Sequence, residues 1–353
     1  MQLLFWLSFI FVCYVYLGYP AVLMIWRRVS GRPVAKTYWE PNVSIVIAAH
    51  NERQNIEKKL ANCFSLDYPR RKLQILVSLD GPTDGSEFVL WKYAMQGVEL
   101  VYSRQHTGKA GALNRAMRRV TGEIVVFADA RQMFDSKAIR ELVANFYDNS
   151  IGAASGELLL MDEAGQEATT GVGLYWRYEK ALRLFESDIH SVAGATGAIY
   201  AIRRELYEDL PEETLLDDVL TPLRIVLKGS RTVFDPDAKA YDAVSCCPLA
   251  EYGRKVRTLA GNYQLLKHAP QAVVPWRNPI FFQFVSHKVG RLLVPWALLM
   301  LFATNLFMLR GFYVLTFSLQ TAWYLCAAAG YLLSKREIVM PITLAPDEGK
   351  RAA

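Results

Sequence analysis

Three long runs without a charged side chain constrain this chain more than any other feature. Residues 2–26, 292–309 and 312–333 contain no Asp, Glu, Lys or Arg. About 20 apolar residues span the hydrocarbon of a bilayer. There the backbone must satisfy its own polar groups, so each run is expected as a helix. The first run is a poor secretory signal, since it lacks a basic start, is too long, and has no small-residue cleavage site after it. These runs explain a hydrophobic content of 52%, above that of an ordinary soluble domain.

Positive charge orients the runs. Arg27, Arg28, Arg32 and Lys36 follow the first, His287, Lys288 and Arg291 precede the second, and Lys335 and Arg336 follow the third. Only Arg310 lies between the last two. The positive-inside rule then puts the N-terminus outside and both the middle region and the C-terminus in the cytoplasm. The expected domains are a membrane helix over 1–27, a soluble domain over 37–278, an interfacial segment over 279–291, two membrane helices over 292–334 and a tail over 335–353. The net charge of +6 is explained by basic residues near anionic headgroups and calls for no nucleic acid. Cys13 and Cys326 lie inside apolar runs, Cys246 and Cys247 are adjacent, and no CxxC occurs. Neither a disulfide framework nor a zinc site is implied.

Inside the soluble region, apolar runs at 43–49, 74–79, 98–102 and 124–128 read as strands, each followed by residues at helical spacing. Strand and helix in alternation indicate an α/β fold with a mainly parallel sheet. The fourth run is apolar and β-branched on both faces, as in a buried parallel strand. Each strand ends in a polar or glycine-rich turn. Those turns share one edge of a parallel sheet, where such folds bind ligands. Glu52, Asp80, Lys109 and Asp129 are therefore expected to line one cleft. Further on, 157–170 reads as a flexible polar connection and 174–185 as an amphipathic helix. The stretch 191–204 is rich in small residues, and glycine there, Gly197 included, fits either close backbone approach to a ligand or a bulge. Asp217 and Asp218 open a helix, where they are either functional or simply N-terminal helix charges. Residues 251–264 read as a basic helix beside the membrane, for which a headgroup-facing surface is the plainest explanation.

This cleft offers carboxylates for a divalent ion, and a lysine with glycines at a helix start, which suits a phosphate. No P-loop and no dinucleotide fingerprint is present. A nucleoside-diphosphate site with a separate base remains. The ordered motifs VSIVIAAHNE, SLDGPTDGS, GKAGALN, FADAR, GATGAIYAIRRE and LLDDVLTPLRI resemble those of membrane-bound family-2 inverting glycosyltransferases of GT-A fold, from about residue 42 to 263. The resemblance implies a Rossmann-like GT-A domain with one N-terminal and two C-terminal membrane helices. It implies Glu52 and Asp80 at the nucleoside, Lys109 near the diphosphate or ribose, and Asp129 at the diphosphate through Mg2+ or Mn2+. Asp218, with Asp217 beside it, would be the general base, and Gly197 would lie on the acceptor side.

Two departures from the family pattern bear on chemistry. Arg131 stands where a second metal-binding carboxylate is usual, so either Asp129 alone holds the metal or Arg131 pairs with the diphosphate. The Gln-x-x-Arg-Trp of processive members is replaced by a stretch with Arg254 and Arg257, expected on the acceptor side. The resemblance thus implies transfer from a nucleotide-diphosphate sugar, a UDP-sugar first, to a lipid-linked or membrane-proximal glycan acceptor. The expected setting is surface polysaccharide synthesis at a bacterial inner membrane. The alternatives are a processive synthase subunit and a non-catalytic nucleotide-sugar-binding scaffold.

Overall fold

The computed structural model describes residues 1–162, 173–243 and 248–339. Cys246, Cys247, residues 163–170 of the expected connection and the tail beyond Val339 lie outside them. The chain divides into two compact units, Val15–Leu292 and a second made of Met1–Tyr14 with the chain from Leu293 onward.

The larger unit is built on eight strands: β1 Val43–Ala49, β2 Leu73–Asp80, β3 Val98–Ser103, β4 Ile124–Asp129, β5 Met133–Phe134, β6 Ile151–Met161, β7 Ile199–Arg203 and β8 Arg231–Ala243. They form one sheet in the order β3-β2-β1-β4-β7-β6-β8-β5. The first four are mutually parallel, and β7 runs antiparallel between β4 and β6. β1, β2 and β4 are buried almost throughout, whereas edge strand β3 is mostly part-exposed. This matches their sequences, since only strands covered on both faces can be apolar at nearly every position.

Alternate residues feed two cores. Ile45, Ile47 and Val126 pack with Ile56, Leu60 and Leu142 on one face. Val46, Val125 and Phe127 pack with Leu113, Leu220 and Leu223 on the other. Helices therefore cover both faces of the sheet. The register brings the carboxyl ends of the parallel strands level, with Ala48 opposite Asp129, Ala49 opposite Leu79 and Asp80 opposite Ser103. Strand order reverses about β1, and the crevice at such a reversal is where open α/β sheets place ligands.

One expectation changes. Residues 157–161 do not begin a flexible connection. They extend β6 and pair with β8, Leu158 opposite Ala240 and Leu160 opposite Asp242. Three consecutive leucines there supply an apolar, strand-compatible run that outweighs the polar residues around them. Most of 279–291, expected as an interfacial segment, is helical. A helix starts at Phe281 and runs to Leu306 as one apolar element, π-helical over Phe284–Val289. Two of its basic residues meet carboxylates: His287 Nδ1 lies 2.6 Å from Glu186, and Arg291 Nη1 lies 2.6 Å from Glu179.

In the smaller unit, Gly311 (φ +54°) turns the chain between the helices Gly290–Leu306 and Phe312–Val339. Phe302 stacks on Phe317 at 5.0 Å, and Gln320 Nε2 donates to Leu298 O at 2.9 Å. Among the described residues, three helices, Gln2–Ser30, Phe281–Leu306 and Phe312–Leu333, are long and apolar enough to cross a membrane.

Candidate active site

Each strand end contributes differently to the sheet edge. After β1 the backbone turns through Asn51 at φ +55°, a left-handed conformation that asparagine tolerates better than most residues. Its Oδ1 accepts from Thr83 N at 2.8 Å, tying the β1 and β2 turns together. Glu52 stands at the N-cap position of the helix Arg53–Phe64, and its side chain accepts from Asn55 Nδ2 at 2.7 Å.

Asp80, at the end of β2, faces inward. It is 2% exposed. Its carboxylate accepts from the N–H groups of Thr107 (3.1 Å) and Gly108 (2.7 Å), from Thr107 Oγ1, and from Arg115 Nη2 at 2.5 Å. Burial alone would raise its pKa, but the Thr107 amide and hydroxyl, Arg115 and the Gly108 amide hold it below the ordinary carboxylate range. Asp80 thus fixes the start of the helix Gly108–Met117, which presents Lys109.

Lys109 is the hub of the cluster. Its Nζ donates to Asp129 Oδ1 at 2.9 Å and lies 3.4 Å from Asp217 Oδ2. Burial opposes its charge, yet Asp217, Asp129 and Asp218 together push its pKa above the ordinary lysine value. It is therefore a fixed cation at working pH. Asp217 is 3% exposed, and its Oδ2 has no hydrogen-bond donor among the described residues. Asp218 follows on the first turn of the helix Asp217–Leu227. Burial, then the charge of Asp217, raise its pKa to about 6, against the opposing pull of Lys109 and Lys288.

The small-residue segment explains itself beside Asp218. Ala195 N donates to Asp218 O at 2.8 Å. A Cβ on Gly197 would sit 2.8 Å from Asp218 Oδ2, so only glycine leaves room for the carboxylate. Arg131 is engaged elsewhere: its Nε and Nη2 donate to Asp242 Oδ2 at 3.1 and 2.5 Å, and Gln132 joins the same oxygen. Arg254 and Arg257 are exposed on the helix Pro248–His268. Arg257 Nη2 reaches Leu215 O at 3.4 Å, and Gly261 lets that helix close onto Leu216.

Asp129 and Asp217 both meet the Lys109 ammonium, at 2.9 and 3.4 Å, and carboxylate oxygens are the ligands that hard divalent cations take. Asp129 is the part-exposed member and the residue that could hold such an ion together with ligand oxygens. Among the described residues, the acidic group with ligand-like spacing is elsewhere, at Glu141, Asp235 and Asp237. There, however, Lys36 Nζ lies 2.9 Å from Glu141 and Asp235 and 3.6 Å from Asp237, so a lysine already fills that centre. The spacing of the sequence did not reveal Arg183, Asp242, Tyr200 or Lys288. Arg183 donates to Thr196 Oγ1 at 2.7 Å and Ser155 Oγ at 2.8 Å. Tyr200 stacks on Phe127 at 4.8 Å with its hydroxyl buried. Each comes from an element distant in sequence and sits in an ordinary amphipathic pattern.

Residues 44–210 match the family described as glycosyl transferase family 2. A beta-monoglucosyldiacylglycerol synthase of Synechocystis sp. is 28% identical over 204 residues, 55% of this chain and 42% of that protein. A poly-beta-1,6-N-acetyl-D-glucosamine synthase of Staphylococcus aureus is 21% identical, over 64% of this chain and 55% of that protein. The chain thus spans about half the length of these curated relatives. Among solved structures, a mannosyltransferase of Pyrobaculum calidifontis, in complex with GDP-Man and Mn2+, superposes with a TM-score of 0.69 at 25% identity, covering 94% of this chain and 99% of that one. The sheet order, the Lys109-centred carboxylates and these likenesses lead to one conclusion: the chain carries a glycosyl transferase family 2 domain on a GT-A-like fold.

Proposed function

We propose that this chain is an inverting, membrane-bound glycosyltransferase that moves a sugar from a nucleoside-diphosphate sugar to a hydroxyl of a lipid-linked or membrane-proximal glycan. The observation that carries this reading is Lys109 held between Asp129 and Asp217, with Asp218 beside them at a pKa of about 6. A carboxylate poised near 6 is mostly ionised at neutral pH yet basic enough to take a proton as the acceptor oxygen attacks. The hydroxyl oxygen attacks the anomeric carbon from the face opposite the leaving group. Its proton passes to Asp218, the C–O bond to the diphosphate breaks, and the electron pair leaves with the nucleoside diphosphate. Lys109, at a helix N-terminus, faces the charge that develops on that leaving group. Asp129 is the residue that would carry Mg2+ or Mn2+, and a bound ion would act there as a Lewis acid on phosphate oxygens.

The donor side is assigned to the β1, β2 and β4 ends. Glu52 lies toward the nucleoside, while Asp80 shapes the site by clamping the helix that bears Lys109. Arg131 is left to its Asp242 pair and not to the diphosphate. Gly197 belongs beside the base, and Arg254 and Arg257 to the acceptor approach. The three apolar helices support membrane association, and the basic residues at their ends support a cytoplasmic domain with the N-terminus outside. The likeness to a poly-N-acetylglucosamine synthase supports a second reading, a processive synthase subunit. The missing Gln-x-x-Arg-Trp stretch weighs against it.

The test is a donor screen with purified protein in detergent, using UDP- and GDP-sugars and membrane lipid extract. The anomeric configuration of the product is then read by NMR. A product of inverted configuration is expected with one donor. A retained configuration would remove Asp218 from the role of base, and long labelled polymer from the protein alone would favour the processive reading.

A further inference from the structure

Lys59 is 0% exposed although its side chain ends in an ammonium. It sits on the core face of the helix Arg53–Phe64, with Ile56, Leu60 and Cys63. Its Nζ donates to Gln132 O at 2.7 Å and stands 3.6 Å from the centre of the Phe134 ring. No carboxylate lies within 4.0 Å of it among the described residues. Burial lowers its pKa to about 8, while Cys63 and then Asp129 pull the other way. A charge withdrawn from water is costly unless it is closely paired. Packing alone would be served by an apolar side chain of the same length, so the bond to Gln132 O is the feature to explain.

Gln132 belongs to the short turn that leaves Asp129 at the end of β4 and enters β5. That turn is held from two sides. From β8, Asp242 Oδ2 accepts from Arg131 Nη2 at 2.5 Å and from Gln132 Nε2 at 2.8 Å. From the helix, Lys59 takes the Gln132 carbonyl and Asn62 brackets Phe134. Asn62 Nδ2 donates to Phe134 O at 2.9 Å, and its Oδ1 accepts from Phe134 N at 2.8 Å. The main chain just beyond Asp129 is thus tied to one turn of one helix. Side chains on a rigid element place a site to within about 0.5 Å, which a free loop does not.

We propose that Lys59 is a positioning residue for the donor side: through the Gln132 carbonyl it fixes the turn after Asp129, and so sets where Asp129 presents its carboxylate to a nucleoside diphosphate and its divalent ion. Lys59 touches neither ligand and acts through the turn. The proposal rests on the reading of Asp129 as the diphosphate-side carboxylate. A site held this way trades stability for geometry, a common exchange at functional sites. Without Lys59 the Gln132 carbonyl loses its donor and the turn is free to move toward water. The relief of no longer burying an ammonium opposes that loss, so the effect is local to the turn.

The experiment titrates UDP and GDP, each with Mn2+, into the full chain in detergent. Wild type is expected to bind one of them. Lys59→Met should weaken that nucleotide by about 10-fold, as for loss of a charge-assisted hydrogen bond. Lys59→Gln, which keeps a donor without the charge, should fall between, and it decides the matter if Lys59→Met does not fold. Amides of 130–134 should exchange faster in Lys59→Met, with the melting midpoint little changed. Leu60→Ala, a cavity on the same helix, should lower that midpoint yet leave nucleotide affinity within about 2-fold. In an Asp129→Asn background, Lys59→Met should add little, because both act at one point. Wild-type affinity in the folded Lys59 variants, or an equal loss in Leu60→Ala, would overturn the proposal. Binding of neither nucleotide by wild type would overturn the donor-site reading and this proposal with it. Binding that is lost in Asp129→Asn but intact in Lys59→Met would overturn this proposal alone.

Discussion

Replacing Gly197 by alanine tests the placement of the base with a single methyl group. The new Cβ would meet Asp218 Oδ2 at 2.8 Å, whereas ordinary van der Waals contact begins at 3.4 Å. One partner must give by several tenths of an ångström. The backbone on the Asp218 side cannot simply retreat, because Ala195 N holds Asp218 O at 2.8 Å and Gly261 lets a second helix press on Leu216 just before it. The carboxylate is therefore the part that swings. A displacement approaching 1 Å at a reacting group costs on the order of 100-fold in rate. The overpacking itself costs about 1 to 3 kcal/mol of stability. Steady-state release of nucleoside diphosphate reads this directly. The expected result is kcat lowered about 100-fold with the donor KM little changed, since the donor-side residues Lys109 and Asp129 are not touched. Gly197→Ala added to Asp218→Asn should cost little more than Asp218→Asn alone. Wild-type kcat in a folded Gly197→Ala protein would refute the reasoning.

Further outcomes follow from the same cluster. The acid limb of kcat/KM should fall near pH 6, not near 4, because Asp218 must be ionised to accept a proton; Lys109→Met, which removes a charge that lowers this pKa, should shift the limb upward. A raised carboxylate pKa favours the folded chain below the ordinary value near 4, and that contribution is lost as pH rises through about 6. Asp218→Asn should thus stabilise the protein at pH 7, by roughly 1 to 3 kcal/mol, in a denaturant titration. Asp80 has the opposite sign: its depressed pKa gives stability that is present at neutral pH and lost as pH falls below about 4. Asp80→Asn should cost about 3 kcal/mol, as for a broken buried ion pair, and should weaken donor binding by loosening the helix of Lys109. Chelation with EDTA should abolish turnover and added Mn2+ should restore it, whereas EDTA-insensitive transfer would leave the diphosphate to Lys109 alone.

How far the sequence speaks depends on the range of each interaction. The parallel strands were legible because burial on both faces writes an apolar run into consecutive residues, as in Ile124 to Ala128. Their carboxyl-end residues follow from topology alone. The apolar helices were legible from length and missing charge. The partner of Arg131 was not, since Asp242 lies 111 residues away on β8 and no local pattern joins them. The contacts of Asp80 with the Thr107 and Gly108 amides were not legible either, since only the packed turn brings them together. The leucines of β6 were hidden by polar neighbours until β8 supplied the pairing edge. Lys288 read as an orienting charge beside a membrane helix. Its place in the wall of a cavity follows only from the fold.

The most direct measurement compares wild type with Asp218→Asn at one donor, reading turnover and donor affinity separately. Loss of general-base help should lower turnover by about 10²- to 10⁴-fold, with the donor bound as tightly as before. Turnover that survives Asp218→Asn unchanged would contradict the assignment of the base and, with it, the mechanism built on the Lys109 cluster.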